Sequence, residues 1–190
     1  MPHEQQQRDH GWTLVSQYRG IRVYKRHPDR SRVKTFRGVM RMELADEYAL
    51  VALANDYERL PQWLHFVRHV EEIQRNGPLL RWLHFTTDLP WPLHDRETVL
   101  RLEVEQRRDD NEDGVLIHIA NAPDLLPDDT RYLRIPTLSG TSGIWRLPGD
   151  ELELFYELTV DPGGQVPPWL TNLVLRDAPL FTLDRLRRLV

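Results

Sequence analysis

The segment that most constrains the fold of this chain lies near its C-terminus, at Asp161 to Trp169 (DPGGQVPPW). A strand-like run, Leu152 to Val160, precedes it, and apolar residues recur at helical spacing from Leu170 onward. The paired glycines permit backbone angles with positive φ, and the two prolines suit the first turn of a helix. The pattern therefore predicts a strand followed by a long C-terminal helix that covers a sheet.

Short runs of alternating hydrophobic residues predict the sheet itself. Three of them, Trp12 to Ser16, Ile21 to Lys25 and Lys34 to Met42, open the chain. Two short helices follow, the first capped by Asp46 and the second carrying Trp63. The remaining predicted strands are Val67 to Gln74, Leu79 to Thr86, Thr98 to Gln106, Val115 to Ala120, Tyr132 to Leu138, Gly143 to Leu147 and Leu152 to Val160.

These elements predict an α+β fold, in which an antiparallel sheet of about nine strands wraps around one long C-terminal helix. Two short helices are inserted after the third strand. The chain has 190 residues, of which 40% are hydrophobic and 28% charged. We therefore expect one domain over residues 12–190, behind a flexible N-terminus at residues 1–11.

Composition excludes several classes of function. The net charge of −4 argues against nucleic acid as a partner, because such partners select basic surfaces. The absence of cysteine excludes disulfides, thiolate nucleophiles and cysteine-ligated zinc. No apolar run reaches the roughly 18 residues of a membrane span, and Met1 to His10 has no signal-peptide core. We expect a cytoplasmic protein.

The sequence also lacks the usual catalytic and cofactor motifs. His65 and His69 have i, i+4 spacing but no accompanying glutamate of the kind found in zinc proteases. The segment Ser139 to Gly143 does not match a nucleophile elbow and is interpreted as a turn. Walker and dinucleotide fingerprints are absent. We expect neither a metal nor a cofactor.

Alternation in two strands places polar side chains toward the interior. Arg96 shares its parity with Thr98 and Leu100, so its guanidinium points inward, where it needs hydrogen-bond partners. Tyr156 points inward because Glu153 and Glu157 take the solvent side. Arg96 either contacts a ligand or is a buried strut, and Tyr156 either meets a ligand's polar group or is an ordinary core residue.

Other candidates for a ligand site are less specific. Asp177 lies on the apolar side of the C-terminal helix, where it either pairs with Arg96 or turns toward solvent. His118 lies in an apolar strand, where it is either a cavity residue or a core histidine with a hydrogen-bond partner. Aromatic and aliphatic side chains form either the cavity wall or plain core. This group comprises Trp63, Trp82, Phe85, Leu100 and Leu173.

Four apolar residues fall in predicted loops or at the start of the last helix: Trp91, Leu125, Leu126 and Trp169. Exposed apolar tips at one end of a sheet can form a gate and touch a membrane surface, and tryptophan favours such interfaces. The alternative is that these residues anchor their loops in the core.

The segment Leu89 to Glu97 (LPWPLHDRE) resembles the Trp-Pro and Asp-Arg-Glu signature of START domains, the StAR-related lipid-transfer family. The DPGGxVP joint, with Tyr156 in the strand before it, is a second match. Weaker matches follow in the family's order from Trp12 to the C-terminus. They include Ile21 to Tyr24, Phe36 to Gly38, Trp63, Leu133 with Arg134, and Gly143 to Trp145.

The resemblance implies a helix-grip fold, in which a curved sheet holds the C-terminal helix over an apolar tunnel for one lipid. It further implies that Arg96 belongs to a charged pair in the cavity, with a partner from the preceding strand. That strand offers His84 and Asp88 and no glutamate.

Two functions follow as hypotheses. The first is binding of a single lipid or other hydrophobic small molecule, for transport or sensing, with possible transient contact to a membrane. The second is an enzyme of the polyketide cyclase or aromatase type on the same scaffold, in which Arg96, Tyr156 and His118 orient a substrate and move protons. No catalytic pair close in sequence supports the enzyme.

Overall fold

The computed structural model describes residues 11–26, 33–43, 48–108, 113–127, 129–164, 166 and 168–190, without the side chains of residues 48 and 168–176. The predicted flexible N-terminus lies outside the described residues except for Gly11. The predicted N-cap Asp46 also lies outside them.

The described residues form a sheet of ten strands in the order β1-β2-β3-β10-β9-β7-β6-β5-β4, with the two-residue β8 paired to β6. Every pairing is antiparallel except that between β8 and β6. The strands are β1 (Thr13–Tyr18), β2 (Ile21–Arg26), β3 (Lys34–Glu43), β4 (Val67–Asn76), β5 (Leu80–Thr87), β6 (Arg96–Arg108), β7 (Asp113–Asn121), β8 (Leu133–Arg134), β9 (Thr137–Arg146) and β10 (Glu151–Asp161).

Two short helices follow β3 as predicted: α1 (Tyr48–Asn55) and, after a 3₁₀ turn, α2 (Leu60–Trp63). The long helix α3 (Pro168–Leu189) begins at the second proline of the joint. The predicted α+β helix-grip fold is confirmed. None of the helices in the described ranges combines the length and apolarity needed to cross a membrane.

One part of the strand prediction was wrong. The segment Ser139 to Gly143, interpreted as a turn, lies in the middle of β9, and the predicted strand Tyr132 to Leu138 is divided between β8 and β9. Glycine is needed here because the backbones of the neighbouring strands approach it too closely for a side chain. A Cβ at Gly140 would lie 1.9 Å from the carbonyl oxygen of Glu157, and one at Gly143 would lie 2.7 Å from that of Val115. The glycines let three strands pack tightly and mark no chain reversal.

Helix α3 packs against one side of the sheet. Its main contacts in the described residues are with β1, β2, β3 and α2. Leu183 and Leu186 of α3 join a buried cluster with Met40 of β3 and Leu154 of β10. We call the face of the sheet that carries this cluster concave and the opposite face convex. A second concave cluster lies under α2 and contains Leu60, Val70, Leu83, Phe85 and Leu100.

Candidate functional site

Register across the sheet identifies the side chains that face α3. Leu154 is opposite Ile144, and Ile144 is opposite Val115, so alternate residues of β9 and β7 share the concave face with β10. The pairs Ile119 with Leu102 and Ile117 with Val104 extend this face onto β6. On these middle strands Val115, Ile144 and Val160 are half-buried on the face toward the helix, and so are six further apolar residues. These six residues, which we call the open strip, are Leu102, Val104, Ile117, Ile119, Leu138 and Leu158.

Three predicted wall residues lie together at one border of the open strip. Phe85 and Leu100 are buried in the cluster under α2. Trp63, at the end of α2, packs against both concave clusters, and its indole nitrogen is buried without a hydrogen-bond partner among the described residues. Phe85 and Leu100 thus have the burial of core residues, and Trp63 joins the two clusters.

Arg96 lies at the loop end of the concave face, on the first residue of β6. Its side chain is buried, and its Nε–H donates to the carbonyl oxygen of Pro162, 3.4 Å away, in the joint before α3. A terminal guanidinium nitrogen donates to the carbonyl oxygen of His94. Burial lowers the pKa of Arg96, and the charge of Asp95 opposes that shift. Arg96 is thus a buried cation with backbone partners at this end of the concave face, and Arg81, opposite Leu102, is a second buried guanidinium on the same face.

Tyr156 lies on the concave face of β10 and connects the sheet to α3. Its hydroxyl hydrogen-bonds Thr182 of α3, whose Oγ1 also accepts the backbone N–H of His65 at 3.0 Å. Burial raises the pKa of Tyr156, and the hydrogen bond with Thr182 opposes the rise. Three elements therefore meet at Thr182, namely β10, α3 and the loop after α2.

Three predicted cavity residues lie on the convex face, opposite to the face that carries Arg96 and Tyr156. Trp82 and His84 are opposite Arg101 and Val99, on the convex side of β5 and β6, and His118 is opposite Glu103. His118 hydrogen-bonds Glu105 there, and His84 hydrogen-bonds Glu97 and does not pair with Arg96. The cause is strand parity, because each of the three is displaced by one residue from a concave neighbour.

The two predicted residues on α3 are less informative. Asp177 is half-buried, and its negative charge acts on His65, where it opposes a lowering of the histidine pKa that comes mainly from burial and then from Arg185. The described contacts of Arg96 do not include Asp177. The side chain of Leu173 lies outside the described residues.

Three of the four predicted gate residues lie in loops at the same end of the sheet as Arg96, and the fourth, Trp169, lies in α3. Trp91, in the loop between β5 and β6, is 90% exposed, and Leu125, in the loop between β7 and β8, is 40% exposed. Leu126 is half-buried, and the side chain of Trp169 lies outside the description. Trp91 and Leu125 therefore do not anchor their loops in the core.

A buried carboxylate beside this end, that of Glu97, was not among the residues predicted from the sequence. Glu97 lies on the convex face, 2% exposed, and accepts hydrogen bonds from Arg134, His84 and the backbone N–H of Asp129. Burial alone would raise its pKa, but these hydrogen bonds outweigh burial and lower it. Parity could have placed Glu97 on the face opposite Arg96, whereas its partner Arg134 lies 37 residues away in the chain.

Comparisons with known proteins agree with this architecture. No family model matches the chain. An uncharacterized protein of Pseudomonas aeruginosa is 31% identical over 179 residues, covering 93% of this chain and 85% of that protein. Human phosphatidylcholine transfer protein is 24% identical over 191 residues, covering 93% of this chain and 82% of that protein.

A solved structure of a STAR-related lipid transfer protein from Xanthomonas axonopodis superimposes with a TM-score of 0.82 at 28% identity. The match covers 94% of this chain and 97% of that one. The similarity thus spans both concave clusters, the Arg96 end and the joint before α3. The chain belongs to the START domain family.

Proposed function

We propose that this protein binds one lipid, or another hydrophobic small molecule, between α3 and the open strip, and carries it between membranes. The observation that supports this most is the half-burial of six apolar residues that face the helix. Apolar groups directed toward the interior of a domain are normally covered, because cores pack to crystal-like density. The names of the human and Xanthomonas relatives point to the same activity.

Tyr156 gives a second indication of internal space. Its residue keeps accessible surface, although burial is the main cause of its raised pKa. An occupant would remove this surface and that of the open strip from water, at about 25 cal/mol per Å² of apolar area.

Arg96 and Tyr156 are the polar residues we assign to the ligand's head group. Arg96 supplies a positive charge, already partly desolvated, at the loop end of the site. Tyr156 supplies a hydroxyl at its α3 side. A lipid would therefore lie with its polar group toward one of these residues and its chains along the open strip.

We further propose that the loop end is the entrance and makes transient contact with membranes. The exposed indole of Trp91 and the exposed side chain of Leu125 suit the interface between head groups and acyl chains. Trp91→Ala should weaken sedimentation with phosphatidylcholine–phosphatidylserine vesicles. Leu79→Ala is the matched control, because Leu79 is 55% exposed at the opposite end of the sheet. Equal binding by both variants would contradict this orientation.

Carriage between membranes would occur in the cytoplasm, a compartment that suits a chain without cysteine.

No observation favours the cyclase alternative. That hypothesis brings Arg96, Tyr156 and His118 together in one cavity, whereas His118 lies on the convex face beside Glu105. The groups left on the concave side are a guanidinium and a phenol whose pKa is raised by burial. Neither is a ready general base near neutral pH.

The proposal is tested by native mass spectrometry of freshly purified protein, followed by organic extraction and identification of what is released. One lipid per chain is the expected result. Protein that is empty, and stays empty after incubation with vesicles of mixed lipid composition, would overturn the proposal.

A further inference from the structure

The two loops at the proposed entrance differ in how they are held. In the loop between β5 and β6, the tip is closed by a bond within the loop, from the backbone N–H of Leu93 to the carbonyl oxygen of Pro90. Its base is tied at Leu89, whose backbone N–H donates to Asp95, and at Asp88, whose N–H donates to Phe66. Trp91 at the tip stays 90% exposed.

The loop at residues 122–127, between β7 and β8, has comparable backbone bonds, from Leu125 N–H to the carbonyl oxygen of Ala122 and from Ala122 N–H to that of Val99, and is in addition attached to one side chain. Arg134 donates to the carbonyl oxygens of Pro123 at 2.7 Å, Leu126 at 2.9 Å and Pro127 at 2.8 Å. Three successive attachments leave little freedom to the segment between them. We call this arrangement the Arg134 strap.

The strap is itself fixed by Glu97. The Nε and a terminal nitrogen of Arg134 donate to Oε1 of Glu97 at 3.1 and 2.8 Å. The carboxylate is 2% exposed, and its other oxygen hydrogen-bonds His84 at 2.9 Å. Breaking a buried, fully hydrogen-bonded ion pair is costly, because it leaves an uncompensated charge. The arrangement needs an arginine, because one planar guanidinium donates hydrogen bonds to a carboxylate and to three carbonyl oxygens at once.

Adjacent residues of β6 fasten the two sides of the entrance. Arg96 holds the joint before α3 through Pro162, on the concave face, while Glu97 holds the strap on the convex face. Strand β8 lies between them, with a Leu133 methyl group 3.1 Å from where a Cβ would lie on Gly164. The Arg-Glu pair thus fixes the joint and the 122–127 loop to the same strand end.

We propose that Arg134 is a positioning residue for lipid exchange: its strap makes the 122–127 loop a fixed rim of the entrance, and lipid passes on the side of the β5–β6 loop that carries Trp91. The role of Arg134 in lipid exchange rests on the proposed function. The strap itself is a property of the protein without ligand.

Hydrogen exchange on the wild-type chain, followed by mass spectrometry, tests the strap without any variant or ligand. The amide of Leu125, which is bonded within its loop to Ala122, should exchange at least tenfold more slowly than that of Leu93, which is bonded within its loop to Pro90. Equal exchange in the two loops would overturn the proposal.

Arg134→Lys tests the role in exchange, because lysine keeps the charge opposite Glu97 but cannot serve three carbonyls at once. Arg75→Gln is the control, since Arg75 is 48% exposed and pairs with Glu72 of its own strand, β4. The probe is NBD-labelled phosphatidylcholine, loaded into each protein and released to phosphatidylcholine vesicles. We expect Arg134→Lys to release it at least threefold faster at unchanged stoichiometry, with faster exchange in residues 122–127, and the control to match wild type.

Release at the wild-type rate from a variant whose 122–127 loop exchanges faster would overturn the positioning role. Release that is slower would do the same, because the strap would then assist opening. A wild-type protein that takes up neither the probe nor any cellular lipid would instead overturn the proposed function. The hydrogen-exchange data for the two loops distinguish failure of the positioning role from failure of the proposed function.

Discussion

The two faces of the sheet differ in how completely protein covers them. On β7, Leu116 points to the convex face and is only 3% exposed, because it packs with Val39, Trp145 and Phe155. Its neighbours Ile117 and Ile119 point toward α3 and are half-buried. A globular domain normally shows the reverse, with the outer face of a sheet wetter than the inner one. A ligand bound on the concave face, as proposed, would cover the two isoleucines of β7.

The position of α3 explains the difference. Gly38 on β3 has no side chain, and a Cβ there would lie 3.1 Å from Leu183 and 3.3 Å from Pro179. Residues 179–186 of α3 therefore lie close over β1–β3. Among the described side chains, Leu102, Ile119 and Leu138 of the middle strands pack instead at the edge of the cluster under α2 and stay half-buried.

The largest effect should separate the packed and open parts of the concave face. Leu154→Ala removes a buried side chain under α3 and should cost about 2–5 kcal/mol of unfolding free energy. Ile119→Ala, in the open strip, should cost less than about half of that in lipid-free protein, because no new closed cavity forms. Urea denaturation measures both. Equal losses would mean that the open strip is ordinary core.

A second variant examines the polar part of the convex face. Glu97→Gln removes the charge that Arg134 and His84 share and should cost about 1.5–3 kcal/mol. Because the folded pKa of Glu97 is lowered below 4.5, its stabilisation is present above that pH and lost as pH falls through the folded pKa. Wild type should therefore lose stability below about pH 4.5 more steeply than the variant. Parallel curves of denaturation midpoint against pH would contradict the assignment.

Gly38→Ala should push α3 away from β3 and cost about 1–3 kcal/mol through overpacking. The added Cβ would also lie 3.3 Å from the ring of Tyr156, so the methyl group is crowded on both sides. Thermal unfolding measures the loss. A variant as stable as wild type would show that the close helix contact is not required.

The smallest effect is expected at the link between Tyr156 and α3. Tyr156→Phe keeps the ring against Phe36, 6.0 Å between centroids, and removes only the hydroxyl bonded to Thr182. The expected cost is about 0.5–1.5 kcal/mol. Thr182→Val, which also removes the acceptor for the His65 N–H, should cost more. The reverse order, by urea denaturation, would contradict the hydrogen-bond scheme.

Sequence patterns predicted the fold well because its strands alternate and its last helix begins at a marked joint. The inward positions of Arg96 and Tyr156 followed from parity, since charged neighbours identified the solvent side. Parity failed for His118, because Val115 to Ala120 is apolar on both faces and gives no alternation to read. The strand is apolar on its convex side because Leu116 packs there against Trp145 and Phe155 of two other strands.

Long-range partners could not be predicted. Glu97 and Arg134 meet only because β8 returns parallel to the first residues of β6, and no local pattern marks a two-residue strand. The prediction of both Phe85 and His84 as cavity residues ignored that adjacent residues of a strand face opposite ways. The exposure of the open strip likewise depends on where α3 packs on the sheet. The helical periodicity of the sequence does not predict that position.

The most direct test of the account uses two tryptophan substitutions at adjacent residues of β7. Ile119→Trp fills the open strip, whereas His118→Trp adds the same side chain to the convex face. Circular dichroism confirms folding, and native mass spectrometry with lipid extraction measures bound lipid per chain. The account predicts that Ile119→Trp folds and carries less than half the wild-type amount, while His118→Trp carries the wild-type amount. Full lipid in folded Ile119→Trp, or its loss from His118→Trp alone, would contradict a ligand site on the concave face.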